Sequence, residues 1–473
     1  MRRIRARNFI RDSITLAAIG MAATGAVCEA AADQNLAPAV NVAGDKVLKF
    51  DWPEVQIGTG EYAEGPTGVT VFRFPRKAMG VVDVRGGAPG TVMTDYLRLG
   101  YESPDIDAIV FSGGSAYGLE TTTAVATALK DDNIRNGFWN NTAVTAGAII
   151  YDFGDRRLNE VYPDKKLAQA ALRAAQPGVF PQGAQGAGRF ARTGGFFNCG
   201  SYSGQGGAFR QIGNIKIATF VVLNAGGLIT TRDGKIAACY DDASWPKALK
   251  TTDLLAAIPL SRKAGWNGVP RGGDNKNTTI SLVVTNQKLS NAELQRLAVQ
   301  VHTSMARAIQ PFATVSDGDV LYAISTAETG NERGAGGRSA SDLNNELGTA
   351  DLGAIASEMM WDSILASIPD QPKAVAPSRD YKPQGRDIAA FAGKYVFSPF
   401  VTLEIKVDGD RLFALATGER PAYAIGKDKP VELLPVSPGY FTVPDRYPLT
   451  LRFDGPGRLI VNPGHWQQLG LRG

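Results

Sequence analysis

Residues 272–285 read Gly-Gly-Asp-Asn-Lys-Asn-Thr-Thr-Ile-Ser-Leu-Val-Val-Thr. A polar loop ends at Asn277, and a run of β-branched and apolar residues follows it directly. This run contains neither Pro nor Gly, so it predicts a buried strand from Thr279 to Thr285. Thr278 therefore stands at the junction between a polar loop and a core strand.

The segments around this junction alternate between strand-like and helix-like patterns from about Lys46 to Pro369. Ile215–Asn224 and Leu228–Thr231 are predicted to pair across a turn at Gly226-Gly227. Ser290 and Glu293 have the spacing of a capping box, which predicts a helix that ends before Pro311. Further strands are predicted at Val69–Phe74, Val81–Val84, Ala108–Ser112, Ile149–Phe153 and Val320–Ile324, and further helices at Tyr117–Lys130, Lys165–Ala175 and Leu347–Ile368. The alternation predicts an α/β domain.

The composition and the pattern of the sequence change after Pro369. Residues 370–387 carry several prolines among polar residues and are predicted to be a linker. Residues 388–473 have turn signals every ~8–12 residues, which is typical of a small all-β barrel or sandwich. Six short strands are predicted there, at Val401–Val407, Arg411–Ala416, Val431–Pro435, Tyr440–Val443, Leu449–Phe453 and Leu459–Val461. The predicted organisation is therefore a large domain at 31–369, a linker at 370–387 and a small β domain at 388–473.

The first thirty residues have the pattern of a secretory signal peptide. Arginines without any acid in residues 1–11 precede an apolar stretch, Ile14–Val27, and small residues flank a cut after Ala30. The apolar stretch is shorter than the ~20 residues that a membrane span needs. We therefore expect residues 1–30 to be removed and the protein to be exported, periplasmic or secreted, with no membrane span. In an oxidising compartment Cys199 and Cys239 could pair, and two free thiols are the simpler alternative.

The composition narrows the chemistry further. Fifty Lys and Arg against 46 Asp and Glu give a formal charge of +4, without the basic surplus of a nucleic-acid-binding domain. Two His and three Cys among 473 residues exclude most zinc sites, and we expect no cofactor and no metal. Catalysis by a histidine is limited to His302 or His465.

A nucleophile that needs no histidine is available at the loop–strand junction. If the bond between Asn277 and Thr278 breaks, the Thr278 hydroxyl becomes the nucleophile. Its freed α-amine, with an ordinary pKa of ~7.7–8.0, can act as the base. An uncut Asn-Thr pair at an ordinary strand start is the alternative, and these residues alone do not decide between the two.

Two other motifs have competing interpretations. Ser115 lies in Gly113–Gly118, which resembles a nucleophile elbow, but Tyr117 occupies a Gly position, so a tight turn is favoured. A serine hydrolase would use Ser115 with His302, although His302 lies within the capped helix beside its apolar face. Asp317-Gly318-Asp319 could bind a metal, but alone it is typical of a turn.

Many short blocks, in the same order, resemble one family: the self-cleaving hydrolases that include L-aminopeptidase/D-esterases and β-peptidyl aminopeptidases. Each block is weak alone, but their order along residues 48–368 makes the resemblance specific. The nylon-oligomer (6-aminohexanoate-oligomer) endohydrolase branch is the more similar one. The blocks are Glu64–Gly68, Asp83–Ala88, Gly113–Glu120, Ile150–Phe153, Val161–Lys165, more loosely Ser203–Gly206, then Asn224, Asn277–Ser281, Ile309–Phe312, Asp317–Asp319 and Gly353–Glu358.

This resemblance implies an αββα sandwich of the N-terminal-nucleophile-hydrolase type, in a chain that cuts itself between Asn277 and Thr278. It implies that Thr278 attacks the scissile carbonyl of a substrate and forms an acyl-enzyme, which water then opens. Relatives assemble as multimers of cut protomers, so a homo-oligomer is expected as well.

The resemblance also implies roles for four other residues. Asn224 and Tyr151 match the family residues that donate to an oxyanion. Asp317 and Asp319 match the acidic pair that orients the new N-terminus. Their charges favour a protonated amine, so burial or hydrogen bonding must balance them if the Thr278 amine is to act as a base.

This chain departs from the nylon-oligomer branch at one position. That branch has a Lys in the Gly-rich segment that follows Gly186–Gly188, whereas no Lys occurs here from Leu167 to Ile215. The expected place lies within Gly194–Asn198, and the nearby Arg189 and Arg192 cannot act as neutral bases.

The expected activity is hydrolysis of linear amides such as 6-aminohexanoate oligomers, β-peptides or short peptides. An aminopeptidase or esterase for natural peptides, and a non-catalytic binding relative of the same fold, are the alternatives.

Overall fold

A computed structural model describes residues 36–44, 46–98, 100–101, 104–154, 157–197, 200–238, 250–256, 277–329, 347–444 and 449–473. Ala37–Gly473 form one compact unit, and the fold is described for that unit. Residues 1–35 lie outside the described ranges, so the signal peptide stays a prediction. Cys199 and Cys239 also lie outside them, and so does their predicted pairing.

The strand predicted after the junction runs from Thr278 to Gln287 and lies inside the main sheet. It pairs antiparallel with Ile215–Asn224 and parallel with Val320–Thr329. Its β-branched and apolar residues suit this position, because it is buried on both faces. The eleven strands of this sheet within the described ranges are Ala39–Val40, Gln56–Tyr62, Gly65–Val84, Thr91–Val92, Asp105–Ser112, Thr145–Ile149, Gln176–Pro177, Gln205–Ile212, Ile215–Asn224, Thr278–Gln287 and Val320–Thr329.

The hairpin predicted after Ile215–Asn224 is wrong. Both edges of that strand are occupied, one by Gln205–Ile212 and the other by Thr278–Gln287. Leu228–Ile229 pairs instead with Ile309–Gln310 in a separate two-stranded sheet. The chain therefore leaves the main sheet at the end of Ile215–Asn224.

The strand predicted at Ile149–Phe153 lies earlier in the chain, at Thr145–Ile149. The carboxylate of Asp152 is buried and accepts a hydrogen bond from the Gly114 N–H at 2.7 Å. This contact draws the backbone after the strand towards the turn at Gly114. Tyr151 consequently lies in the loop that follows the strand.

Alternate residues of the central strand pack against two separate apolar cores. Because successive side chains of a strand point to opposite faces, Ile280 and Leu282 belong to one core and Val283 to the other. The second core is completed by two helices, Asn291–Ser304 and Thr349–Ala366. The first contains aromatic side chains of other strands, namely Phe72, Phe111, Phe220 and Tyr322.

The helices confirm the predicted mixed α/β class. The capping box is present: the Glu293 N–H donates to the Ser290 hydroxyl, and the Ser290 N–H donates to the Glu293 carboxylate. It begins the helix Asn291–Ser304.

No helix in the described part of the chain is long and apolar enough to cross a membrane. Other α-helices within the described ranges include Thr94–Arg98, Glu120–Asp131, Lys165–Arg173, Thr349–Ala366 and Gly385–Ile388, and residues 251–256 are helical as well.

The C-terminal region is all-β, as predicted, and forms a closed barrel. The barrel closes where its first strand, Gly393–Ser398, pairs with its last, Gln468–Arg472. The sequence patterns did not predict these two strands. Gly470 weakens the pattern of the last one, yet a Cβ there would lie 2.6 Å from the Phe397 ring, so the close packing requires glycine. The other barrel strands are Val401–Asp408, Arg411–Ala416, Val431–Ser437, Tyr440–Val443, Leu449–Phe453 and Arg458–Val461.

Buried hydrogen bonds join the barrel to the α/β part. The Gln468 side chain accepts from the Leu158 N–H at 2.6 Å and donates to the Tyr423 hydroxyl at 2.7 Å. The Arg189 guanidinium donates to the carbonyl oxygens of Tyr62, at 2.6 Å, and His465, at 2.7 Å. Arg189 is therefore a structural residue at this boundary.

Gly206 lies where the strand Gln205–Ile212 packs against the helix Thr349–Ala366. A Cβ at Gly206 would lie 1.9 Å from the Ser363 carbonyl oxygen, so the helix must move away to admit one. We expect Gly206→Ala to lower the free energy of unfolding by ~1–3 kcal/mol or more, measured by urea denaturation. Gly457→Ala is the matched control, because a Cβ there meets no atom within 4 Å. Equal stability of the two variants would contradict this packing.

Candidate active site

Thr278 is the first residue of the central strand and is fully buried, with 0% of its surface exposed. Its hydroxyl donates to the carbonyl oxygen of the preceding residue, Asn277, at an Oγ1–O distance of 2.5 Å. The Gly318 N–H donates to the same oxygen at 2.8 Å. The carbonyl of the Asn277–Thr278 bond is therefore in contact with a hydroxyl and with a polarising backbone donor.

The contact made by Gly318 was missed in the sequence. A Cβ at Gly318 would lie 2.8 Å from Thr278 Oγ1 and 2.7 Å from the Ala88 carbonyl oxygen, so only glycine permits this approach. A Cβ at Gly86 would lie 2.1 Å from the Asp319 nitrogen. The sequence carried one sign of this close approach: both segments that pack here, 86–88 and 317–319, contain glycine.

Two buried carboxylates lie beside the junction. Asp317 is 2% exposed and Asp319 is 1% exposed. One oxygen of Asp317 accepts from the Gly226 N–H at 3.3 Å. Asp319 accepts from the Thr279 N–H at 2.7 Å with Oδ1 and from the Ala313 N–H at 2.9 Å with Oδ2. The acidic pair is thus held mainly by backbone donors from three separate segments of the chain.

The acidic pair binds a proton more tightly than ordinary carboxylates do. Burial and then the charge of Asp317 raise the pKa of Asp319 from 3.8 to about 7, although the hydrogen bonds from Thr279 and Ala313 lower it. Two carboxylates that share a buried site do not readily ionise together. With the Asn277–Thr278 bond intact, the pair therefore holds a proton close to neutral pH.

Asn224 lies beside the junction on the neighbouring strand and is bonded to the loop that carries Tyr151. Asn224 is the register partner of Thr278, and its Oδ1 accepts from the Arg192 N–H at 3.0 Å. Its Nδ2 donates to the Tyr151 carbonyl oxygen at 3.1 Å, and the amide carries a second hydrogen beyond this bond. The Tyr151 hydroxyl lies 3.7 Å from the position that a Cβ at Gly90 would take.

Four of the predicted site residues, Thr278, Asn224, Asp317 and Asp319, thus lie around one peptide bond, and Tyr151 is linked to them through its backbone carbonyl. The described contacts connect the strand start to the acidic pair and to Asn224, and Asn224 to the Tyr151 backbone. A buried hydroxyl, fixed N–H donors and a carboxylate pair are the parts that an acyl-transfer site requires. Within the described ranges, no group of three or more His, Cys, Asp and Glu is arranged to hold a metal ion.

Ser115 and His302 take part in two different networks. The Ser115 hydroxyl accepts from the Phe153 N–H at 3.1 Å. His302 is buried, its Nδ1 lies 2.9 Å from the Asp83 carboxylate, and burial lowers its pKa. No hydrogen bond joins Ser115 to His302 in the part of the chain that the structure describes. The geometry favours a tight turn and a structural histidine.

The segment Gly194–Phe197, where the resemblance places a Lys in the nylon-oligomer branch, approaches the junction through Gly226-Gly227. The Gly194 N–H donates to the Gly227 carbonyl at 2.8 Å, and the Phe196 N–H donates to the Gly226 carbonyl at 2.9 Å. A Cβ at Gly226 would lie 2.8 Å from the side-chain nitrogen of Asn277. Asn198 lies outside the described ranges. In the described part of this segment, the side chains other than glycine are those of Phe196 and Phe197.

Comparison with known proteins identifies the family. The profile of Peptidase family S58 matches residues 50–374. This chain belongs to Peptidase family S58. The 6-aminohexanoate-oligomer endohydrolase of Agromyces sp. (strain KY5R) is 41% identical over 340 residues, which cover 70% of this chain and 88% of that protein. An uncharacterized aminopeptidase of Mycobacterium tuberculosis (strain ATCC 25618 / H37Rv) is 32% identical over 343 residues, 70% of this chain and 93% of that protein.

The S58 membership confirms the predicted family and the predicted enzyme class, an amidohydrolase or peptidase. Among solved structures, a beta-aminopeptidase of Burkholderia sp. aligns with a TM-score of 0.45 and 18% identity, over 70% of this chain and 83% of that one. The family match ends at residue 374. The C-terminal barrel of this S58 protein therefore lies outside the matched region.

The acidic pair predicts a pH dependence of stability in the uncut Thr278→Ala chain. The folded-state pKa of Asp319 is about 7 and lies above its ordinary 3.8, so the protonated form stabilises the fold. This contribution to the free energy of unfolding is complete below pH ~4 and is lost as the pH rises through about 7. We expect the urea midpoint of the Thr278→Ala chain to fall from pH ~4 to pH ~8.

The double variant Thr278→Ala/Asp319→Asn should lose less stability over the same pH range, because an amide stays neutral. Asp370→Asn in the same background is the control, since Asp370 is exposed and lies far along the chain from the acidic pair. It should keep the slope of the parent. An Asp319→Asn variant with the parent's slope would show that Asp319 does not carry the proton.

Proposed function

We propose that this S58 protein is an autoprocessing N-terminal-threonine amide hydrolase. One observation carries the proposal: the Thr278 hydroxyl lies 2.5 Å from the carbonyl oxygen of its own preceding peptide bond, and the Gly318 N–H lies 2.8 Å from the same oxygen. A positioned nucleophile and a fixed donor at one carbonyl are what an intramolecular acyl shift needs.

In the proposed self-cleavage, Thr278 Oγ1 attacks the carbonyl carbon of Asn277, and the Gly318 N–H stabilises the negative charge that develops on the oxygen. The C–N bond breaks as its nitrogen gains the proton that the hydroxyl has lost. Asn277 is then held on Thr278 by an ester. Water opens this ester and leaves a carboxylate on Asn277 and a free α-amine on Thr278.

The freed amine supplies a positive charge at a place where two carboxylates share one proton. Asp319 already bonds the N–H of the next residue, Thr279, so the new N-terminus would lie beside the acidic pair. An ammonium beside the pair lowers the pKa of its carboxyl groups and raises its own, whereas burial lowers the pKa of the amine. These opposing effects would hold the amine near its ordinary ~7.7–8.0, where it can exchange a proton.

In turnover, the Thr278 amine takes the proton of its own hydroxyl as that hydroxyl attacks a substrate amide. Asn224 offers the second hydrogen of its side-chain amide to the developing oxyanion, and Tyr151 offers its hydroxyl. The amine product leaves with the proton, and water then opens the acyl-enzyme. Burial of Thr278 favours this chemistry, because hydrogen bonds to a charged oxygen are stronger where water is excluded.

The proposed substrates are linear amides such as 6-aminohexanoate oligomers, β-peptides or short peptides. The named 6-aminohexanoate-oligomer endohydrolase at 41% identity and the aminopeptidase at 32% identity support this class. The absence of Lys between Leu167 and Ile215 favours a preference that differs from the nylon-oligomer branch. It also motivates the second candidates: an aminopeptidase or esterase for natural peptides, or a non-catalytic binding relative.

We propose an αββα layering for the α/β part, supported by the two cores on opposite faces of the central strand. The domain plan is a removed signal peptide at 1–30, a hydrolase domain at 31–369, a linker at 370–387 and a β domain at 388–473. Export to the periplasm or the medium follows from the signal pattern. A homo-oligomer of cut protomers follows from the family resemblance.

Substitution of Thr278 tests the proposed nucleophile. Purified wild-type protein should give two fragments on a denaturing gel, the smaller beginning with Thr278 by N-terminal sequencing. Thr278→Ala should stay whole and should not hydrolyse a linear 6-aminohexanoate oligomer or a short peptide, because it has no hydroxyl. Thr278→Ser is the matched control and should still cut itself and turn over substrate. Cutting or hydrolysis by Thr278→Ala would exclude this mechanism.

Ser115→Ala separates the proposed mechanism from a serine hydrolase. The Ser115 hydroxyl only supports the local turn through Phe153 in the proposed mechanism. The variant should therefore cut itself and hydrolyse amides at a rate close to that of the wild type. An uncut wild-type chain whose activity disappears in Ser115→Ala would favour the serine hydrolase instead.

A further inference from the structure

A cleft of about 630 Å³ lies where the barrel meets the α/β part. Its volume falls within the ~300–1,000 Å³ that is typical of ligand sites. The α/β part contributes three aromatic side chains to its lining, Tyr117, Phe153 and Tyr162, and the barrel contributes Phe400. Because the S58 match ends at residue 374, the barrel wall of this cleft is an addition to the family domain.

A buried arginine faces this cleft from the α/β part. Arg157 is 1% exposed, and its Nη2 donates to Asn159 and to the Val161 carbonyl. Within the described ranges its other two nitrogens, Nε and Nη1, are buried and have no hydrogen-bond partner. The buried Asp152 carboxylate forms an ion pair with Nη1 at 3.8 Å and balances its charge, but it lies beyond hydrogen-bonding distance. Two donors of a buried cation therefore lack acceptors.

A second arginine faces the same cleft from the barrel. Arg420 donates to the carbonyl oxygens of Gly154, at 2.9 Å, and Arg157, at 3.2 Å. Its Nε is also buried without a hydrogen-bond partner among the described residues. The guanidinium carbon lies 5.6 Å from the centre of the Phe400 ring. Backbone acceptors and an aromatic ring thus fix the orientation of this guanidinium in the cleft wall.

The unpaired donors of the lining favour an anion. Glu160 and Glu419 also line the cleft, but both are exposed. Solvent screens their charges, so they oppose a bound anion less than buried carboxylates would. The planar fork of a guanidinium matches a carboxylate, which can accept two hydrogen bonds at once. The aromatic lining suits an apolar chain attached to that carboxylate.

A short path of contacts links Thr278 to this cleft. Asn224, the register partner of Thr278, bonds the Tyr151 carbonyl, and Phe153 of the cleft follows two residues later. With ~5 Å between strands, one side-chain hydrogen bond and at most ~3.6 Å per residue, this path puts the cleft within roughly 20 Å of Thr278. A linear amide of several units spans such a distance, whereas a single amino acid amide does not.

We propose that this cleft binds the terminal carboxylate of a linear amide, on the side of the scissile bond that leaves as the amine product, with Arg157 and Arg420 as its anion-binding residues. This inference rests on the proposed amide hydrolase function. It assigns a role to the barrel: selection of substrates that end in a free carboxylate.

The test is a binding comparison in the uncut, inactive Thr278→Ala chain. Isothermal titration calorimetry would compare the linear trimer of 6-aminohexanoate with the same trimer capped as its terminal carboxamide. We expect the free acid to bind about tenfold more tightly or better, because charged hydrogen bonds are lost on capping. Equal affinities, or no measurable binding of the free acid, would overturn the proposal. The capped ligand tests the site without any change to its walls.

Arg420→Gln in the same background should remove most of the preference for the free acid, and Arg420→Lys, which keeps the charge, should restore part of it. Arg411→Gln, an exposed barrel arginine outside the cleft lining, is the matched control and should keep the preference. An unchanged preference in Arg420→Gln would overturn the assignment. Selective binding of the free acid in a protein whose wild type never cuts or hydrolyses would overturn the proposed function alone.

Discussion

The burial of two carboxylates beside an intact peptide bond is the constraint on which the site depends. Asp317 and Asp319 are almost completely buried, and burial, together with the charge of Asp317, raises the pKa of Asp319 to about 7. The segment that carries them also places the Gly318 N–H on the Asn277 carbonyl. The segment that brings the two buried carboxylates together therefore also polarises the Asn277–Thr278 bond.

The fold maintains this arrangement through close backbone contacts. The central strand begins at Thr278 and is flanked on both edges, so the junction is held in register with Asn224 and with the strand that follows the acidic pair. Glycines at 86 and 318 let two loops approach to distances that any side chain would prevent. The proposed cut would release the Thr278 ammonium among these backbone contacts. Its positive charge would then balance the negative charge of Asp317 and Asp319.

Sequence patterns were enough to predict the junction, the capped helix and six of the barrel strands, because each is encoded by local alternation or capping chemistry. The resemblance supplied Asn224, Tyr151 and the acidic pair. The structure brings Asn224 and the acidic pair around one bond and links Tyr151 to Asn224 through its backbone. The Gly318 donor could not be predicted, since a backbone N–H has no signature of its own in the sequence. The partner of Leu228–Ile229 was missed because pairing depends on which strand edges remain free. The arginines of the cleft were missed because their unpaired donors exist only in the folded chain.

The most direct test of the account is a carbon NMR titration of the Asp319 carboxyl group in two forms of the protein. One form is the uncut Thr278→Ala chain, and the other is wild-type protein after the cut. The account predicts a pKa of about 7 for Asp319 in the uncut chain and a lower pKa in the cut protein, where the Thr278 ammonium faces the acidic pair. The same pKa in both forms, or an ordinary carboxyl pKa in the uncut chain, would contradict it.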